Sequence, residues 1–245
     1  MGPRPGQPAR GFAPIGQAHC ARPRRALCSL RRGRDATPCH ARVAPNVVLD
    51  LGGHTLTGPS YTSDGVFIEP GATNARVLDG TVINFNFGVA DNGSGAVIQR
   101  VTAHRNNIGI AVGDVLTLGG GICSAPGCYP VAGSVLSNGR ALGNGSGIEL
   151  FDASAVTVAS STTSGGIVGI DLDAPSSRDR VVGNAANNNE ANGIFVDTSA
   201  THHQLAGNKA TGNGFVDLED FNPGCDSNQR VGNTFGTSDP ASCIH

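Results

Sequence analysis

A glycine followed by an aliphatic residue and then an alternating run recurs at a nearly constant interval, and few folds accommodate that. The segments are GVFIE at Gly65, GVADN at Gly88, GIAVG at Gly109, GIELF at Gly147, GIDLD at Gly169 and GIFVD at Gly193, spaced 23, 21, 38, 22 and 24 residues apart. VDLED at Val216 continues the series with Phe215 in place of the glycine, and one insertion of 16 residues explains the long interval. A second strand-like segment sits at a similar offset in most units, as in GAVIQRVTA, SAVTVASST and HQLAGNKAT, bounded by Gly, Asn, Asp or Ser. No window keeps a 3.6-residue period long enough for a helix. A unit of this size cannot bury its own apolar face, so it must stack on its neighbours.

Stacking in parallel register predicts an all-β chain, a right-handed parallel β-helix of about eight coils, roughly 38 Å long at about 4.8 Å per coil. Val66, Val89, Ile110, Ile148, Ile170, Ile194 and Val216 form one expected inward stack. Ile68, Val112, Leu150, Leu172, Val196 and Leu218 form another, interrupted by Asp91, which implies either a local shift or a turn there. Composition agrees, because 36 glycines, 4% aromatic residues and no Trp suit a core of small aliphatic side chains. Leucine-rich repeats are excluded by the lack of any L-x-x-L-x-L unit. Asn138, Ser160, Asn184, Asn208 and Asn233 fall just after the second strand, where stacked side chains can bond along the axis.

Charge divides the chain. Residues 1–45 carry nine Arg and one acid, a net +8, whereas residues 46–245 carry eight basic and 18 acidic side chains, a net −10. All 19 Asn lie from Asn46 onward. The expected organisation is an atypical Arg/Pro-rich segment over 1–45, disordered or wrongly assigned, followed by the solenoid over 46–245. Residues 1–45 have no apolar run of the length a signal peptide or membrane span needs. Residues 46–245 hold no phosphate loop, serine-nucleophile motif or aromatic-basic surface for nucleic acid.

NVVLDLGGHTLTG at 46–58, the G-I-x-L repeats and the ending DLEDFNPGCDSNQRVGNTFGTSDPASC resemble bacterial right-handed β-helix repeat proteins of the pectate-lyase-like superfamily. The resemblance implies a secreted or cell-envelope protein whose relatives include polysaccharide lyases, hydrolases and C5-epimerases, alongside many members with no known activity. The N-T-D, G-H-G and R-I-K set of polygalacturonases is absent, as is the D-P-H motif of alginate epimerases. In an exported protein, Cys123 with Cys128 and Cys225 with Cys243 read as disulfides.

Counting from each repeat glycine, the second and fourth residues alternate with the inward ones and should face solvent. The second holds Phe67, Ala90, Ala111, Glu149, Asp171, Phe195 and Asp217; the fourth holds Glu69, Asn92, Gly113, Phe151, Asp173, Asp197 and Glu219. From Gly147 onward this face is acidic. Carboxylates one coil apart stand about 5 Å apart, close enough to split their pKa values into an acid and a base. Three readings follow: Asp171 and Asp173 as a catalytic pair; Glu149, Phe151, Phe195, Asp197, Asp217 and Glu219 as a saccharide-binding surface, with Ca²⁺ as an alternative occupant; or a solvated face on a non-catalytic envelope module.

Overall fold

A computed structural model describes residues 41–114, 131–225, 227–241 and 244. These residues form a parallel β-solenoid of about eight turns, with one strand per coil in a nine-stranded sheet and the return segments in a fourteen-stranded sheet. Strand Ala41–Val43 already pairs with Val66–Ile68, so pairing begins ahead of the composition boundary at Pro45. Among the described residues, no helix is long and apolar enough to cross a membrane. The expected disulfide Cys123–Cys128 falls outside the described residues, as does Cys243 of the expected Cys225–Cys243 pair.

The repeat glycines are needed for close approach between coils. A Cβ on Gly88, Gly109, Gly147 or Gly169 would lie 2.4–2.5 Å from the carbonyl oxygen of the next glycine in the column. Gly193 is stacked in the same way on the Asp217 oxygen, at 2.5 Å. This corrects the register of the last coil. Asp217, rather than Phe215, occupies the glycine column, and Ile194 pairs with Leu218, Phe195 with Glu219 and Val196 with Asp220.

Two inward stacks therefore run Val66, Val89, Ile110, Ile148, Ile170, Ile194, Leu218 and Ile68, Asp91, Val112, Leu150, Leu172, Val196, Asp220. Asp91 neither shifts its coil nor sits in a turn; it is paired in register and fully buried, accepting a bond from the Gly93 N–H. Burial pushes its carboxyl up to about 6. Asp220, in the same stack, is held by Arg230.

The fourteen-stranded sheet bends once per coil at a residue with positive φ: Asp79, Arg100, Asn138, Ser160, Gly183, Gly207 and Gly232. The residue after it carries the side-chain ladder. Gly139 N–H donates to Ser161, Ser161 N–H to Asn184, Asn184 N–H to Asn208 and Asn208 N–H to Asn233. Asn184, Asn208 and Asn233 thus form the expected ladder, whereas Asn138 and Ser160 sit one residue early, at the bend. A second ladder, Asn106–Asn144 and Asn189–Asn213, ends on Asp217.

Candidate functional site

Register places Glu149 beside Asp171, and Asp171 beside Phe195 and then Glu219, all on the outer surface of the nine-stranded sheet. Asp173 follows at the end of strand Val168–Leu172, and Asp197 occupies the same place one coil later, with its N–H bonded to the Leu172 carbonyl. Glu149, Asp171 and Asp173 bring one oxygen each within 4.8 Å of one another. The face is less open than alternation alone predicts, since neighbouring side chains cover it. Glu149 is only 5% exposed, and Asp171 and Asp173 are half-buried.

Electrostatics follow from that crowding. Burial, then the Asp173 charge, pushes the Glu149 carboxyl up to about 7. Burial and the Asp197 charge push Asp173 up to about 6. Asp171 is raised well above the usual carboxylate range by burial and by Asp173, Glu149 and Asp197. The ion pairs of the described residues engage Glu69, Asp79, Asp179 and Asp220, and none neutralises this trio. Asp171 Oδ1 is sealed from solvent without a hydrogen-bond donor. Protons or a cation must therefore balance the charge.

The other expected site residues divide. Phe151 lies one coil before Asp173 and Phe195 one coil after Asp171, so the trio is bracketed by rings. Glu219 is buried, accepts from the Asn192 amide and is separated from Asp171 by Phe195. Asp217 is not on this face. Burial would raise its carboxyl, but bonds from Asn213, Gly236 and Thr237 outweigh that and hold it low, so it closes a ladder. The two-residue register difference also hid Phe221, which follows Asp220 and stacks edge-on against Phe195 with ring centres 5.0 Å apart. Aligning Leu218 with Ile194, at the 24-residue spacing seen one coil earlier, reveals it.

The family model described as periplasmic copper-binding protein (NosD) matches residues 53–241. The chain belongs to the NosD family. Among solved structures, this NosD-family chain is similar to the periplasmic alginate epimerase AlgG (11% identity, TM-score 0.58, 81% of this chain and 46% of that one). It is also similar to the pectate lyase Pel9A (16%, 0.51, 76% and 51%) and to an alginate lyase from Paenibacillus sp. str. FPU-7 (11%, 0.52, 84% and 94%). The chain spans about half the length of the first two. At these identities the likeness is one of fold. A search of curated proteins finds no match.

The family description raises copper, and the described donors do not suit it. Copper favours imidazole, thiolate and thioether ligands, whereas carboxylates suit Ca²⁺, Mg²⁺ or Mn²⁺. Among the described residues, Glu149, Asp171 and Asp173 are the group of His, Cys, Asp or Glu side chains able to converge on one ion, and they offer oxygen alone. His203 is buried against Asp179, while His202, its neighbour, is exposed.

Proposed function

We propose that the protein is an exported, periplasmic polysaccharide-binding and polysaccharide-modifying β-helix whose reactive centre is Glu149, Asp171 and Asp173. The observation that carries this reading is the convergence of three carboxyl oxygens within 4.8 Å without a described basic partner. Such a cluster keeps at least one carboxyl protonated near neutral pH while another ionises, which supplies an acid and a base at one place. The spacing is nearest to the roughly 5 Å between the carboxyls of retaining glycosidases. The protonated carboxyl donates to the departing glycosidic oxygen while an ionised neighbour bonds to the anomeric carbon from the opposite face; water, deprotonated by the first carboxylate, then cleaves that ester and releases the sugar. Phe151, Phe195 and Phe221 offer ring faces to the sugars, and Asp197 holds Asp173 in its raised state. The acidic surface favours a neutral glycan, since a uronate would be repelled.

The Asp171 Oδ1 without a donor favours a second reading, in which a hard cation such as Ca²⁺ sits among the three carboxylates and the face binds glycans without turning them over.

A glycan array probed with Ca²⁺ and with chelator, followed by reducing-sugar and unsaturated-product assays, tests both readings. Turnover abolished in Asp171→Asn supports the catalytic centre. Ca²⁺-dependent binding without turnover favours the cation site. No binding and no turnover, with Asp171→Asn and Asp173→Asn unchanged, leaves a structural envelope module.

A further inference from the structure

A groove of about 560 Å³ runs along the turns that lead into the nine-stranded sheet, on the opposite edge from Asp173 and Asp197. Its wall is built from successive coils by Tyr61, Asn86, Asn107, Gly145, Ile167 and Glu190. The backbone fixes that order, with Asn86 N–H bonded to the Ser63 carbonyl, Gly145 N–H to Asn106, Ile167 N–H to Gly145 and Ala191 N–H to Ile167. Five coil intervals at about 4.8 Å make the groove roughly 24 Å long, parallel to the solenoid axis.

Its lining combines exposed apolar side chains, amides and one carboxylate. Tyr61 and Ile167 are 57% and 53% exposed, so two of the large apolar side chains that the fold leaves in water lie along this one groove. Asn107 Nδ2 donates to Asn86 Oδ1 at 3.2 Å. That pairing leaves the Asn86 side-chain Nδ2 hydrogens and the Asn107 side-chain Oδ1 open to a ligand, a donor and an acceptor one coil apart. Glycines line the floor because the turns touch there: a Cβ on Gly145 or Gly166 would lie 2.5 or 2.3 Å from the Asn107 or Asn144 carbonyl oxygen. Glu190 is the one charged residue of the lining, and among the described residues no ion pair engages it. An anionic polymer would therefore meet a carboxylate with no counter-charge.

We propose that this groove binds a neutral polysaccharide strand lying along the solenoid axis. Tyr61 and Ile167 pack against sugar ring faces, and Asn86, Asn107 and Glu190 bond to hydroxyls. The assignment extends the saccharide reading of the acidic face but stands at a separate place, since Ile167 and Asp171 are four residues, about 13 Å, apart along the strand.

The test is equilibrium binding of cello-, xylo- and manno-hexaose, with oligogalacturonate as the anionic comparison, to wild type, Tyr61→Ala and Asp171→Asn. Circular dichroism verifies the fold of each variant; Tyr61 is exposed, so its loss leaves the core intact. At least one neutral hexaose is expected to bind, about fivefold more weakly to Tyr61→Ala, with more of that binding lost in Tyr61→Ala than in Asp171→Asn. No neutral hexaose binding, wild-type binding by Tyr61→Ala, or preference for oligogalacturonate overturns the groove. Loss in Asp171→Asn with retention in Tyr61→Ala puts the ligand on the acidic face, overturning the groove while that reading stands. Groove binding without turnover of any glycan overturns the catalytic centre alone.

Discussion

The two halves of the nine-stranded sheet share one backbone and one register but present different surfaces. In the first, the outer column reads Arg42, Phe67, Ala90, Ala111; in the second it reads Glu149, Asp171, Phe195, Glu219, Asp239. Phe67, Phe87, Ala90, Ile108 and Ala111 pack into a small apolar cluster, and the Arg42 guanidinium lies 5.3 Å from the centre of the Phe67 ring. One coil further on, the same position carries carboxylates that repel one another. The inner face is nearly constant across this change, so the repeat maintains the fold while the outer column is free to vary. A stack that tolerates close like charges for two successive coils supports a role beyond solubility.

Substitutions on either side of the boundary test this contrast. The largest effect is expected at the boundary between the halves: Glu149→Gln should lower turnover of a processed glycan by about 100-fold. Ala111→Ser, its register neighbour one coil earlier, should leave turnover unchanged. Equal losses in steady-state assays would mean that the halves do not differ in function.

Next is the side-chain ladder of the second half, from Gly139 to Asn233. Asn208 donates to the Val181 carbonyl and to Asn233, and accepts from the Asn184 backbone and side chain. Asn208→Leu should cost roughly 3 kcal/mol, because buried groups on neighbouring coils lose partners. Asn138→Ala, at the exposed bend with φ 53°, should cost only about 1 kcal/mol. Thermal unfolding that ranks Asn138 above Asn208 would contradict the ladder register described above.

A smaller effect concerns pH. Glu149, Asp171 and Asp173 are raised in the folded state, so the native protein retains protons that the unfolded chain, with carboxyls near 4, has released. Their contribution to stability is therefore full below about pH 4 and declines as pH rises toward about 7. Glu149→Gln/Asp171→Asn should make the fall in melting temperature over this range shallower, and a slope identical to wild type would show that the trio is not coupled. The least effect is expected for Phe221→Ala, which removes the edge contact with Phe195 and should cost about 1 kcal/mol. Any larger loss in glycan affinity than in stability would mark Phe221 as a sugar contact.

Glycine spacing and alternation were enough to read the solenoid, its coil count and most of the inward stacks, because a residue that must sit under the next coil's carbonyl leaves a mark on every unit. The acidic column from Glu149 to Asp173 was legible for the same reason. The last coil was not. Once Asp217 stands where the pattern calls for glycine, local sequence offers two registers, and only pairing with Ile194 and Phe195 selects one. That choice took Asp217 off the acidic face, moved Glu219 beside Phe195 and set Phe221 against the Phe195 ring.

By itself, then, the sequence determined the period, the inward aliphatic positions and the net charge of the outer face, all of which depend on order along the chain. Tertiary structure alone decided which carboxyls share space, how deeply Glu149 is covered, that Asp91 is tolerated inside the core, and that Tyr61, Asn107 and Ile167 line one groove. Those properties depend on contacts between residues about one or more coils apart, where a shift of two residues changes every neighbour and no local pattern records the distance.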